Sequence, residues 1–332
     1  MEYTIGLSIV LFILSILLTL LVKHFTIRKS ILDLPNERSS HFLPTPRGGG
    51  IAIAITWFLA ITYLYIRKDI DSTPFFALLC GLPISVIGLV DDVITISPRV
   101  RFFVQVICAT IAIFLLGGLN IINIGFQVIS FPYLFSIVAV FGIVWFTNLF
   151  NFLDGIDGYI SAEVIFIGFA FFLLFGEVPP ALLAVVTAGF LVWNWQPAKI
   201  FMGDVGSTLL GFTMGVFAVY YQNEGVASIL IWIMLTSLFW FDATLTLYRR
   251  WRNNEKLSQA HRKHAYQRIV QAGFSHQKTV LYGISINFLI LLLVLIAIKY
   301  PELTLVMLLV NLLLLYYIVR LVDQKFPFQK YK

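Results

Sequence analysis

Long apolar runs separated by short polar segments recur along the whole chain. A helix needs about 20 mostly apolar residues to cross a bilayer, so the runs predict an all-α polytopic membrane protein with eleven transmembrane helices. Little chain remains for a soluble domain, and residues 1–332 are predicted to form one integral-membrane domain. The predicted spans are Tyr3–Val22, Gly49–Ile66, Pro74–Val90, Phe102–Gly117, Phe131–Phe150, Tyr159–Phe175, Pro180–Trp195, Ser207–Tyr221, Val226–Tyr248, Thr279–Ile298 and Glu302–Leu321.

One segment between spans has a different pattern. Asn120–Ser130 reads NIINIGFQVIS and is too short to cross a bilayer. β-branched residues punctuated by turn formers are typical of a short strand pair, which we expect on the external side.

The charges beside the spans predict the orientation. Lys23, Arg28 and Lys29 follow the first span, and no small-residue cleavage site is present, so we expect a retained helix with its amino end outside. An odd number of spans then places the carboxyl end in the cytoplasm. In this arrangement the cationic side chains on the external side are Arg67, Lys68 and Lys299.

Composition agrees with a membrane protein. The chain is 59% hydrophobic and 12% charged, whereas soluble domains are nearer about 45–50% and about 25%. The net charge of +6 belongs to the cytoplasmic loops, so it does not indicate nucleic-acid binding. Cys80 and Cys108 lie in apolar runs, which favours packing over a disulfide or a zinc site.

The unusual polar residues fall in segments that share the predicted cytoplasmic side. We therefore expect the active site on that face, in loops near residues 24–48, 91–101, 151–158, 196–206 and 249–278.

Two of these segments are rich in carboxylates. Adjacent Asp91 and Asp92 repel each other and raise each other's pKa unless a cation or a proton-accepting role offsets this; an acidic turn that ends the helix is the alternative. In NLFNFLDGIDGY, Asn148, Asn151, Asp154 and Asp157 recur at intervals of three, with glycines between the later ones. Oxygen ligands on such a turn suit a hard cation such as Mg²⁺, although a solvated Asp-Gly turn has the same pattern.

Asp204 lies in KIFMGDVGS at the start of a predicted span, where it is either a functional acid or a helix cap. Phe201, three residues earlier, offers an aromatic face to a base. In HRKHAYQR, His261, Arg262 and His264 suit phosphate oxygens, and the alternative is an ordinary positive-inside loop.

The loop RSSHFLPTPRGGG contains Arg38, Ser39, His41 and Arg47 before a glycine triplet that opens a helix. Free amides at a helix start can bind an anion, so Arg47 is a predicted substrate-binding residue. The chain has no G-x-x-x-x-G-K-[ST] loop, which disfavours ATP hydrolysis.

In this order, DDVIT, NFLDGIDGY, FMGDVGS and HRKHAYQR resemble the motifs of the polyprenyl-phosphate N-acetylhexosamine-1-phosphate transferase superfamily, from Leu34 to about His276. The resemblance implies Mg²⁺-dependent transfer of a sugar 1-phosphate from a UDP-sugar to a polyprenyl phosphate such as undecaprenyl phosphate, with release of UMP. Mn²⁺ is the alternative metal. It further implies the bacterial cytoplasmic (inner) membrane as the location, with a homodimer left open.

The resemblance also implies roles for individual residues. Asp204 holds the metal with help from Asn151, Asp91 deprotonates or orients the lipid phosphate, and Asp92 tunes Asp91. The implied catalytic residues are Asp91, Asp92, Asp204, His261 and His264. The further substrate-binding residues are Arg101 at the lipid phosphate, Asn151, Asp154 and Asp157 in the nucleotide loop, Phe201 at the uracil ring and Arg262 at the diphosphate.

Two departures from the family pattern narrow the prediction. Thr95 stands where the fuller pattern has a third aspartate, so that acid is not required here. The HRKHAYQ form lacks the triple histidine of the muramoyl-pentapeptide enzymes and looks like the branch that initiates O-antigen or capsule sugars. This disfavours a peptide-bearing substrate.

Two alternatives from other functional classes stay open. A transporter would place its ionisable groups near the bilayer midplane on broken helices and in repeated halves, whereas these acids are predicted at helix ends on one side. An inactive scaffold that retains the fold is the other alternative.

Overall fold

The computed structural model describes residues 2–35, 43–257, 259 and 261–328. Arg38, Ser39 and His41 of the first polar loop lie outside the described residues. In chain order the helices are α1 (Glu2–Arg28), α2 (Gly50–Ile66), α3 (Ser72–Leu79), α4 (Gly81–Val93), α5 (Pro98–Leu115), α6 (Pro132–Leu153), α7 (Tyr159–Phe175), α8 (Val178–Asn194), α9 (Asp204–Asn223), α10 (Ile229–Leu235), α11 (Ser237–Arg252), α12 (Ala265–Gln271), α13 (His276–Lys299) and α14 (Thr304–Lys325).

Helices cover all eleven predicted segments, with α3–α4 and α10–α11 each dividing one of them. Within the described ranges, six helical segments are long and apolar enough to cross a membrane, and α10–α11 makes a seventh if its two parts, bent by 75°, form one span. The all-α polytopic membrane architecture is thereby confirmed. The count of eleven spans and their orientation stay predictions.

Two antiparallel strand pairs accompany the helices. The predicted pair is present as β3 (Ile121–Asn123) with β4 (Val128–Ser130). A second pair, β1 (Leu32–Asp33) with β2 (Thr45–Pro46), was not predicted, because each of its strands has only two residues and carries no periodic signal.

Helix α9 forms the centre of the bundle. Most of its side chains are buried, and α2, α4 and α6 pack around it. Small residues permit this close approach: a Cβ atom on Gly211 would lie 2.4 Å from the Phe146 carbonyl oxygen of α6. Glycines on α9 thus bring the neighbouring backbones together.

The predicted cytoplasmic loops meet at one end of this bundle. Four helices end there, α4, α6, α8 and α11. Five helices begin there, α2, α5, α7, α9 and α13. The β3–β4 pair lies at the other end, where Ser228 Oγ, before α10, donates to the Asn123 carbonyl oxygen at 2.6 Å. One end of the helices therefore collects the polar motifs.

The 75° bend between α10 and α11 lies at Thr236. Thr236 Oγ1 donates back to the Trp232 carbonyl oxygen at 2.6 Å. Asn311 of α14 donates to Ser237 Oγ at 2.9 Å on the other side of the break. The bend divides an otherwise continuous apolar segment and sets the direction of α11.

Gly50 tests the packing of α2 on α9. A Cβ atom at this position would lie 2.3 Å from the Gly206 backbone nitrogen, so Gly50→Ala must push the two helices apart. We expect a loss of about 1–3 kcal/mol in unfolding free energy, measured by thermal unfolding in detergent. Gly142→Ala on α6 is the control, because nothing lies within 4 Å of that Cβ position; equal losses in both variants would contradict this packing.

Candidate active site

Asp92 caps the central helix. It lies in the last turn of α4, and its carboxylate accepts the Asp204 N–H at 3.0 Å and the Val205 N–H at 3.4 Å. Carboxylates at this position satisfy amides that lack a partner inside the helix and favour its positive end. Gly203 has a φ of +76°, and a Cβ there would lie 2.4 Å from Asp92 Oδ2. Glycine is therefore required at position 203, because the positive φ and the nearby Asp92 carboxylate both exclude a side chain.

Two arginines connect three carboxylates. Arg47 Nε lies 2.8 Å from Asp92 Oδ1, and Arg47 Nη2 lies 2.5 Å from Asp204 Oδ1. Arg101 Nη1, from the first turn of α5, contacts both Asp91 Oδ2 and Asp204 Oδ2. Each Asp204 oxygen therefore has its own guanidinium partner. Together these ion pairs join α4, α5, α9 and the segment before α2.

The surroundings hold Arg47 in its charged form. Burial alone would lower the pKa of Arg47, but the carboxylates of Asp92 and Asp204 outweigh this and raise it. The strand residue Pro46 accepts the Phe201 N–H at 2.8 Å, which fixes the backbone beside Arg47.

The glycine triplet does not form the predicted anion site. The Gly49 N–H donates to the Phe201 carbonyl oxygen at 2.9 Å, and the Gly50 N–H donates to the Met202 carbonyl oxygen at 2.8 Å. The expectation of free amides was wrong, because these donors join α2 to the segment before α9. The side chain of Arg47 carries the polar contacts of this loop instead.

The loop after α6 is held by several different partners. Asn151 Nδ2 donates to Ser207 Oγ at 3.2 Å, and Asp157 Oδ2 accepts the Ala198 N–H at 3.1 Å. His276 Nδ1, at the start of α13, lies 3.3 Å from the same Asp157 oxygen. Asp157 therefore connects this loop to two others, a role that its spacing in the sequence did not reveal.

Asp154 lies half-buried among these charges. Burial raises its pKa to about 7, and the neighbouring carboxylates of Asp204, Asp92 and Asp157 act in the same direction, while Arg47 opposes them. Arg47 therefore only partly offsets the burial of this carboxyl group and the negative charge of its neighbours.

The donor set fits a hard divalent cation. Asp91, Asp92, Asp154 and Asp204 supply carboxylate oxygens, which Mg²⁺ prefers. Within the described residues, no three His, Cys, Asp or Glu side chains form a ready-made ligand group, and arginines contact both Asp204 oxygens. Asn151, the second predicted ligand, donates its Nδ2 to Ser207 Oγ, so its side-chain oxygen Oδ1 is the atom that would face a metal. A metal at Asp204 would share the carboxylate with the arginines or displace one of them.

The histidine segment follows α11 and packs beside the aspartate loop. Asp242 of α11 accepts the Ala265 N–H at 3.0 Å with each oxygen, which sets the start of α12. A Cβ on Gly155 would lie 2.5 Å from the Tyr266 hydroxyl, so α12 directly abuts the loop after α6. Asp242 gave no signal in the sequence, because an acid inside an apolar span carries no motif.

The two predicted histidines are neutral. Burial lowers the pKa of His261 and His264 to about 3, and nearby Arg250 acts in the same direction. His264 is only 2% exposed and stacks on Tyr266, whereas His261 is half-buried. Arg262 is also half-buried, and its carbonyl oxygen accepts from Gln271 Nε2 at 2.6 Å. His261 and Arg262 are thus the more accessible residues of this motif.

An apolar cavity of about 790 Å³ lies between α5 and α6 beside the acid cluster. Phe102, Phe103 and Phe152 line it, together with Asn148. Asn148 Nδ2 donates to Gln105 Oε1 at 2.6 Å. This asparagine therefore has a different partner from Asn151, which bonds to Ser207.

Comparison with known proteins shows which family the chain resembles. The profile of glycosyl transferase family 4 matches residues 74–222, which include α4–α9. A Bacillus subtilis protein described as a probable undecaprenyl-phosphate N-acetylglucosaminyl 1-phosphate transferase is 30% identical over 298 residues, covering 85% of this chain and 82% of its own.

Two further relatives have related descriptions. The undecaprenyl-phosphate alpha-N-acetylglucosaminyl 1-phosphate transferase of Thermotoga maritima is 32% identical over 63% of each chain. The decaprenyl-phosphate N-acetylglucosaminephosphotransferase of Mycolicibacterium smegmatis is 28% identical over 78% of this chain and 73% of its own. The resemblance stated from the sequence is confirmed.

The neutral histidines predict how stability depends on pH. Unfolding exposes each imidazole and returns its pKa to about 6.5. The unfolded chain then binds more protons than the folded protein, so stability falls as the pH drops below about 6.5 towards 3. For His264 the loss at pH 5 is about 2 kcal/mol.

We expect His264→Gln to lose less thermal stability than the wild type between pH 7.5 and pH 5. Unfolding in detergent at both pH values measures this difference. His24→Gln, at an exposed position in α1, should keep the wild-type dependence. An unchanged dependence in His264→Gln would show that His264 is not a buried neutral histidine.

Proposed function

Because the chain belongs to glycosyl transferase family 4, we propose that it transfers an N-acetylhexosamine 1-phosphate from a UDP-sugar to polyprenyl phosphate and releases UMP. The observation that carries this proposal is the cluster of Asp91, Asp92 and Asp204, bridged by Arg47 and Arg101 beside an apolar cavity. This arrangement suits a reaction that joins a charged, soluble donor to an apolar acceptor.

The acceptor enters through the α5–α6 cavity. Its prenyl chain packs against the phenylalanines there, and its phosphate reaches Arg101, which lies about one helical turn after Pro98 of the cavity wall. Arg101 then pairs with the lipid phosphate, while Asp91 accepts its proton or orients it. Asp92 holds the start of α9 in place beneath them.

The donor lies on the opposite side of the cluster. Phe201 stacks on the uracil ring, and Asp154 and Asp157 line the nucleotide loop. His261 and Arg262 meet the diphosphate, with His264 supporting them from behind. Neutral imidazoles donate hydrogen bonds without adding charge, so Arg262 and Arg47 supply the positive charge at the phosphates.

Asp204, assisted by Asn151, holds Mg²⁺, and Mn²⁺ is the alternative metal. When bound, the cation neutralises charge on the phosphate oxygens as the phosphoryl group transfers. Release of Asp204 from Arg47 or Arg101 frees carboxylate oxygens for the metal and frees a guanidinium for a substrate phosphate.

The same geometry disfavours a carrier. The charged cluster lies where α4 ends and where α5 and α9 begin, at one end of the bundle. A transport site is expected near the midplane at the interface of repeated halves. The cytoplasmic face of the bacterial inner membrane is the proposed location, because polyprenyl acceptors and nucleotide sugars meet there.

Measurement of UMP release tests the function. Purified protein with undecaprenyl phosphate, Mg²⁺ and a UDP-sugar is expected to release UMP, and excess EDTA should abolish the reaction until Mg²⁺ is restored. A panel of UDP-N-acetylglucosamine, UDP-N-acetylgalactosamine and a 6-deoxy N-acetyl sugar identifies the donor. Full turnover in EDTA would contradict the proposed metal dependence. If no donor yields UMP, the proposed function is wrong.

Asp204→Asn tests the proposed metal ligand. The substitution keeps the size of the side chain but removes its charge, so UMP release should fall about 10²-fold or more. Asp91→Asn and Asp92→Asn should also be severely impaired. Asp71→Asn at the other end of the bundle is the control, and a wild-type rate in Asp204→Asn would contradict the assignment.

A further inference from the structure

We infer that the carboxyl-terminal segment Asp323–Phe328, which we name the C-terminal brace, positions the histidine segment, of which residues 253–257, 259 and 261–264 are described, for donor binding. The inference rests on the proposed function, in which that segment meets the diphosphate. It concerns residues beyond the 74–222 range of the family profile.

Asp323 is the first contact of the brace. Its carboxylate accepts Arg249 Nη1 at 3.0 Å and Nη2 at 2.8 Å, and its Oδ1 also accepts Arg268 Nη1 at 2.8 Å. Arg249 belongs to α11 and Arg268 to α12. One carboxylate therefore joins the helix before the histidine segment to the helix after it.

Phe328 is the second contact. Arg249, Lys263 and Arg268 all lie over its ring, at 5.4, 5.3 and 5.6 Å from the centroid. Arg268 Nη1 also donates to the Phe326 carbonyl oxygen at 2.7 Å, which fixes the chain leading to the ring.

These contacts reach the proposed donor site through Lys263. This residue immediately precedes His264, and its ammonium group lies 2.6 Å from Glu255 Oε1. Glu255 in turn contacts Arg250, whose guanidinium donates to the Lys256 and Gln259 carbonyl oxygens. The brace and this internal network together hold the histidine segment at both ends.

The residues of the brace are positioning residues, because they touch the arginines and Lys263 and not the reacting atoms. Bidentate arginine–carboxylate pairs fix geometry as well as charge. Loss of the brace should therefore leave the carboxylate cluster intact and weaken only the binding of the donor. The expected signature is a higher KM for the UDP-sugar with little change in kcat.

Hydrogen exchange tests the brace without any assay of turnover. In Asp323→Asn and Phe328→Ala, amides of residues 253–257 and 261–264 should exchange about tenfold faster than in the wild type, while the loop at 67–71 stays unchanged. Asp69→Asn and Tyr317→Ala are matched controls, since they remove an acid paired with Arg67 at the far end and an exposed aromatic side chain on α14. Unchanged exchange in both brace variants overturns the inference.

Kinetics then test its consequence. We expect Asp323→Asn to raise the KM for the UDP-sugar about tenfold, consistent with loss of a charged hydrogen bond, with kcat within about twofold. Asp323→Glu and Phe328→Trp should restore most of the affinity. A lower kcat at constant KM would indicate general destabilisation and overturn the positioning role. If the wild type releases no UMP, the proposed function is wrong. Hydrogen exchange alone then tests whether the brace positions the histidine segment.

Discussion

The carboxylate of Asp204 is the interaction on which the site depends. Its two oxygens are held by arginines from different parts of the chain, Arg47 before α2 and Arg101 in α5. Its backbone N–H is held by Asp92 of α4. Buried charges are costly unless they are paired and hydrogen-bonded, so these contacts must form together. They bring four segments to one point at the end of the central helix.

That constraint also explains the packing around α9. The helix must reach the cluster from between its neighbours, so glycines stand where other backbones come closest. Gly206 meets Gly50 of α2, and Gly211 meets the backbone of α6. With small residues at these contacts, the helices that carry the acids and arginines approach closely enough for direct ion pairs. The packing of the apolar helices therefore sets the geometry of the charged site.

The histidine half of the site is built differently. Its residues come from a loop between α11 and α12, where His264 stacks on Tyr266. Asp242, Asp323 and Glu255 hold it by pairing with backbone amides and cations. Carboxylates from three places therefore anchor this part, and Asp323 lies far along the chain from the histidine motif that it supports.

The sequence by itself determined the apolar helices, the β3–β4 pair and the order of the polar motifs, because hydrophobic runs and turn residues are local signals. It also grouped Asp91, Asp92 and Asp204 by motif. Only the tertiary structure decided that Arg47 and Arg101 bridge these acids, that the glycine amides bond to carbonyl groups, and that the α10–α11 segment bends. Contacts between residues distant in sequence depend on how the helices pack, and no local pattern records that packing.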